Sequence, residues 1–131
     1  MDEELQSKMQ AELDKYKSVE KEYHTTMTQK QLLESQLHET TGVKLELDLL
    51  KEDGEVYKLI GPVLMKQEVN EAKSNVNKRL GFITVEIKRI DDLLTSLEKK
   101  MNFHKERLGK LQAQSHQFQQ GLAKAAAKTS A

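Results

Sequence analysis

The 131-residue chain is 37% hydrophobic, 5% aromatic and 32% charged, whereas chains that fold around a compact core are roughly 45–50% apolar and about 25% charged. Lys plus Arg and Asp plus Glu each number 21, and no long run of one sign occurs, which removes the usual electrostatic basis for binding nucleic acid or an anionic membrane surface. There is no cysteine, which excludes a disulfide framework, thiol catalysis and thiolate zinc sites; a reducing compartment fits. The acidic start, Met1-Asp2-Glu3-Glu4, is unlike a signal peptide, and no apolar run approaches the ~20 residues of a membrane helix.

Residues 3–41 carry the stripe Leu5, Met9, Leu13, Tyr16, Tyr23, Met27, Leu33 and Leu37 at mixed helical spacings. Glu20, Lys30 and Glu34 stand where a strict heptad wants apolar groups, so the spacing predicts a loose seam that shifts register after Met27. Residues 43–50 are ambiguous. Val43-Lys44-Leu45-Glu46-Leu47-Asp48-Leu49 alternates like a strand, while Val43, Leu47 and Leu50 also have helical spacing in a Leu-, Lys- and Glu-rich stretch. With the helical reading, the first helix spans 3–50.

Lys51-Glu52-Asp53-Gly54 has turn chemistry. A β-hairpin is expected over 55–67, with apolar strands either side of Gly61-Pro62. Gly61 suits the first central position of a type II′ turn, and the fixed φ of Pro62 suits the second. The hairpin is apolar on both faces: Val56 and Ile60 point one way, Tyr57 and Leu59 the other, and Leu64 opposes Val63 and Met65. A lone two-stranded hairpin is marginal in water, and one with two apolar faces and two open edges seeks strands from other chains.

A second helix is expected over 68–123. It carries a heptad ladder through Val69, Val76, Leu80, Ile83, Ile87, Ile90, Leu94, Leu97, Met101, Leu108, Leu111, Phe118 and Leu122, with Lys73, His104 and Ser115 at the gaps. The tail 124–131, Ala-rich with no apolar face to dock, is expected to fray. Two amphipathic helices joined by a reversing hairpin lie antiparallel, which brings Leu13 near Leu108 and Leu111, and Leu5 near Phe118. The fold class is therefore mainly α: a long antiparallel two-helix coiled coil joined by one β-hairpin. Towards the chain ends the seam weakens, leaving Leu5, Met9, Leu13, Phe118 and Leu122 as a partly available apolar surface suited to other proteins' exposed hydrophobic segments.

No catalytic constellation is present. His24, His38, His104 and His116 are scattered, and no phosphate loop, nucleophile elbow or metal motif occurs. His104 falls at a d position and reads as a polar seam residue that weakens or specifies pairing. No cofactor is expected, nor a nucleic-acid or membrane partner.

The block Tyr57-Lys58-Leu59-Ile60-Gly61-Pro62-Val63-Leu64-Met65-Lys66-Gln67-Glu68, followed by Ala72, Val76, Lys78-Arg79-Leu80 and Ile83-Thr84-Val85-Glu86-Ile87-Lys88-Arg89, resembles the prefoldin β-type subunits, above all the eukaryotic subunit 6 group. The likeness is strong over about 43–97 and weak at both ends. It implies that 43–50 is helical and that the hairpin residues Val56 to Met65 enter a multi-subunit β-barrel. It further implies a heterohexamer of two α-type and four β-type subunits. Such a hexamer holds non-native proteins of the actin and tubulin type at its coiled-coil tips. It passes them, without ATP, to the cytosolic group II chaperonin, which implies a cytoplasmic location. A structural coiled-coil scaffold or tether without client binding is the alternative; that class rarely needs a Gly-Pro hairpin and keeps its seam apolar to the ends.

Overall fold

A computed structural model describes residues 2–130, with side chains from Glu3 to Thr129. The order is α1 (Asp2–Asp48), β1 (Val56–Ile60), β2 (Val63–Gln67) and α2 (Val69–Ser130). The described residues group into two compact units. One, here the end unit, combines the residues up to Thr26 with those from Leu93; the other, the hairpin unit, is Met27–Asp92.

Along α1 one inward series runs through Leu5, Met9, Glu12, Tyr16, Val19, Tyr23 and Thr26 in the end unit, then Lys30, Leu33, Leu37, Thr40 and Leu47 in the hairpin unit, flanked by the half-buried Leu13, Glu20, Met27 and Gln36. The steps alternate between four and three up to Thr40, so the register shift expected after Met27 does not occur. Polar residues complete the heptad instead. The Thr26 hydroxyl donates to the Glu22 carbonyl at 2.8 Å and the Thr40 hydroxyl to that of Gln36 at 2.7 Å. Each buried hydroxyl is thereby satisfied within its own helix. Lys30 reaches Asp91 at 2.8 Å and Glu34 at 3.7 Å, and the bond to Asp91 holds its ammonium pKa above the ordinary value.

The stretch 43–48 is helical, and α1 ends at Asp48, two residues before the expected boundary. Its end tightens, with the Leu50 amide donating to the Leu47 carbonyl at 3.2 Å, and a separate turn follows in which the Gly54 amide donates to the Lys51 carbonyl at 2.8 Å. A Cβ on Gly54 would lie 2.5 Å from the Leu50 side chain, so the turn closes only around a bare Cα.

The hairpin is antiparallel, pairing Val56 with Gln67, Lys58 with Met65 and Ile60 with Val63 on one face, and Tyr57 with Lys66 and Leu59 with Leu64 on the other. Gly61 has φ +59°, as the first central residue of a type II′ turn requires. The Ala72 amide donates to the Glu68 carbonyl at 3.0 Å, which makes Glu68 the residue that opens α2. Glu71 in the first turn and Lys128 in the last oppose the helix dipole with the favourable signs.

Helix α2 does not stop near Ala123; it continues to Ser130. Residues 124–130 need no docking face to be helical, because alanine and lysine have high intrinsic helix propensity. Along α2, Ala72, Ile83 and Ile90 are buried in the hairpin unit and Leu94 and Leu97 in the end unit. Val69, Val76, Leu80 and Ile87, then Met101, Leu108, Leu111 and Phe118, are half-buried.

Candidate functional sites: the hairpin faces and the end-unit grooves

The hairpin exposes its apolar side chains on both faces. Tyr57, Leu59, Ile60, Val63, Leu64 and Met65 are each between 51% and 66% exposed, and Val56 is half-buried. At the base of one face, the Tyr57 hydroxyl donates to Glu55 Oε2 at 2.6 Å, and Lys66 Nζ lies 3.5 Å from Glu55 Oε1. The hydroxyl bond, reinforced by the Lys66 charge, holds the Glu55 carboxyl below its ordinary pKa and pushes the Tyr57 phenol up. This bracket orients the aromatic ring beside Leu59 and Leu64 at the mouth of an open apolar surface. An open groove also runs between this hairpin and the helices, lined by Val43, Leu47, Val56, Leu59, Ala72, Asn75, Val76 and Arg79 among others.

In the end unit the two helix segments leave shallow grooves along their seam. Leu5 and Phe118 line one with Glu4, Lys8, Gln114 and Gln117. Met9, Leu13 and Leu108 line the next, with Gln6, Gln10 and Gln112. Leu13 and Leu108 recur in a third beside Tyr16, Lys105 and Gly109. Leu5, Met9, Leu13 and Phe118 are thus half-buried on grooves, while Leu122 is 54% exposed and lines none of these. The groove walls mix glutamine amides with methionine, leucine and phenylalanine, a lining that admits apolar side chains without fixing one orientation.

The same unit holds a polar cluster that the pattern of apolar residues does not reveal. Glu12 is 3% exposed. Its Oε1 accepts a hydrogen bond from His104 Nδ1 at 2.6 Å, and its Oε2 lies 3.7 Å from Arg107 Nε. The acceptor is a carboxylate, so Nδ1 carries the proton. The hydrogen bond from His104, aided by the charges of Arg107 and Lys15, holds the Glu12 carboxyl below its ordinary pKa of 4.5 against the opposing effect of burial. Arg107 in turn lies over the Phe103 ring at 5.7 Å. His104 is therefore not merely a weak point in the ladder: it is the partner of the one buried carboxylate among the described residues. The signal available beforehand was an acid at a seam position of α1 facing a histidine at a seam position of α2. Elsewhere in the unit, the Tyr23 hydroxyl donates to Glu98 Oε1 at 3.2 Å.

Among the described residues no group of His, Asp and Glu is arranged to hold a metal ion, and no helix is long and apolar enough to cross a membrane. The class defined by these features is a helix–hairpin–helix chain that displays apolar surface on a short sheet. The family description "Prefoldin subunit" matches residues 10–115. The chain is 43% identical over 128 residues to Prefoldin subunit 6 of Homo sapiens, covering 98% of this chain and 99% of the relative. It is 51% identical over 90 residues to Prefoldin subunit 6 of Arabidopsis thaliana, covering 69% and 70%. The crystal structure of the prefoldin beta subunit from Thermococcus strain KS-1 shares the fold, with a TM-score of 0.57 at 24% identity over 84% of this chain and 90% of that one. The chain belongs to the prefoldin subunit family. It is accordingly a co-chaperone subunit and not an enzyme, and its partners include other prefoldin subunits.

Proposed function

We propose that this chain is a β-type subunit of a cytoplasmic heterohexamer of two α-type and four β-type subunits. Its hairpin joins a shared β-barrel. Its end unit holds non-native proteins of the actin and tubulin type, and the assembly passes them to the group II chaperonin without ATP. The observation that carries the assembly half of this reading is the hairpin with apolar side chains exposed on both faces. A sheet of two strands has no interior of its own, so each face needs a cover from outside the chain. The holding half is supported by the grooves beside Leu5, Met9, Leu13 and Phe118. Shallow and bordered by flexible side chains, they suit many apolar segments weakly rather than one tightly.

Mass by light scattering, for the chain alone and after mixing with α-type and other β-type subunits, tests the assembly. A six-chain complex that appears only on mixing is expected. A stable homodimer indifferent to the partners would favour a plain coiled-coil scaffold instead. The holding role is tested by Leu5→Ser combined with Phe118→Ser in the assembled complex. Suppression of client aggregation should fall while the complex mass stays unchanged; unchanged suppression would remove the client role from these residues.

A further inference from the structure

We infer that the neighbouring prefoldin subunit that covers the hairpin also packs on α2, seating an apolar strand segment along the groove beside Asn75 and against Phe82 and Val85. This rests on the assembly reading above and extends it from the sheet to the helix. Phe82 and Val85 are each 66% exposed, as open as Leu59 and Leu64 on the hairpin. They lie three residues apart, so the two side chains adjoin on one flank of the helix. That flank is continuous with the hairpin: Asn75 lines the groove together with Val56 and Leu59. Phe82 follows Asn75 by one heptad, on the same side of the helix about 10 Å further along. A segment leaving the hairpin through this groove therefore meets Phe82 next.

Area points the same way. Tyr57, Leu59 and Leu64 on one hairpin face expose on the order of 350 Å², and Ile60, Val63 and Met65 on the other roughly 300 Å², so both faces together fall short of the ~800 Å² that each partner in a stable complex usually contributes. The groove, Phe82 and Val85 supply contiguous apolar surface on the same unit. A neighbouring subunit is the occupant that fits, because it must already lie on the hairpin. Its contacting segment should be extended and apolar, matching an open groove beside an unpaired strand edge.

The test is assembly of the full chain with its prefoldin partners. Phe82→Ser combined with Val85→Ser should weaken association roughly tenfold or more, with helix content unchanged by circular dichroism. Phe103→Ser, which alters a similarly exposed aromatic in the end unit, should assemble with the natural affinity. Hydroxyl-radical footprinting of the unsubstituted chain gives an independent readout: Phe82 should become protected on mixing, together with Tyr57. Natural affinity for the Phe82/Val85 variant, or unprotected Phe82 beside a protected Tyr57, overturns this inference while the hairpin reading stands. Assembly of Leu59→Lys at natural affinity overturns the hairpin reading itself.

Discussion

The two units use similar helices to opposite ends. The hairpin unit buries Leu47, Ala72, Ile83 and Ile90, yet leaves Leu32, Val43, Leu45, Leu49, Phe82, Val85 and the hairpin side chains in the open. Among the described residues, the end unit leaves only Phe103 and Leu122 as markedly exposed large apolar residues, and beyond Leu94 and Leu97 the residues it buries are the polar Glu12 and Thr26. One unit joins a mainly apolar seam to a large exposed apolar surface; the other exposes few apolar side chains, and its seam carries polar groups and borders grooves. A fixed apolar surface suits a permanent partner, whose matching face repays its desolvation once. A half-closed seam suits transient partners, because its apolar groups remain partly covered when nothing is bound.

The sharpest way to break this contrast is to charge the hairpin. Leu59→Lys or Leu64→Lys places an ammonium on the face that the proposed assembly covers, and should weaken assembly by roughly a hundredfold or more. The two residues are direct cross-strand partners on one face, so either change spoils the same surface. Circular dichroism should still report high helix content, because neither side chain is buried within this chain.

Core truncation should separate the grooved stretch of the end unit's seam from the fully buried positions of both units by magnitude. Leu97, 1% exposed, should cost about 2–5 kcal/mol as Leu97→Ala, and Ile83→Ala, at 2% exposure, a similar amount. Leu108 is only half-buried on two grooves, and Leu108→Ala should cost roughly 1–2 kcal/mol, since its neighbours already border solvent. Chemical denaturation of the single variants measures both; equal costs would show the end seam to be as tightly packed as the rest.

The polar cluster of the end unit gives a pH-dependent test. Glu12 is held below its ordinary pKa by His104, so its stabilisation is fully present above the unfolded carboxylate's pKa. It is lost as pH falls through the lower, folded value. Thermal melts of the natural chain should therefore fall on acidification below about pH 4.5, and Glu12→Gln should flatten part of that decline. Glu12→Leu alone strands His104 and should destabilise the unit. Glu12→Leu with His104→Leu should recover much of the loss, because an apolar pair replaces a hydrogen-bonded polar one within the seam. Failure of the pair to recover would show that the cluster contributes more than its local contacts.

These residues also mark how far the fold was legible beforehand. The α2 ladder from Leu80 to Met101 and the Gly61-Pro62 reversal could be read because each depends on local rules: a period of three and four, and a turn that demands positive φ at one place. Glu12 could not be found that way. A carboxylate in a seam looks like a fault in the pattern until the opposing histidine is known, and that pairing depends on register between residues 92 positions apart. The apparent slip after Met27 had a related origin: Lys30 looks like a gap until its reach to Asp91 is known, and the buried Thr26 and Thr40, bonded to their own helix, carry no apolar signal to mark them as seam positions. At the end of α2, the helix propensity of the alanines outweighs the lack of a docking face. The exposed apolar residues of the hairpin were legible; which of them touch a partner is a property of chains outside this one.

The smallest effect expected here separates backbone freedom from packing. Gly61 and Gly109 both have open space where a Cβ would go, so a methyl group meets no steric obstacle at either place. They differ in dihedral alone. At Gly61, φ is +59°, and Gly61→Ala should destabilise the hairpin by about 1–2 kcal/mol. Gly109 lies within α2 without a positive φ, and Gly109→Ala should stabilise that helix by about 0.5–1 kcal/mol. Native-state hydrogen exchange on the two variants reads each effect locally. If the grooves beside Leu13 and Leu108 hold clients by opening, the gain in stability at Gly109 should come with slower exchange around residue 109 and weaker suppression of client aggregation. Slower exchange with undiminished suppression would mean that the grooves work as they stand, already open, and that the half-closed seam is a fixed surface rather than a moving one.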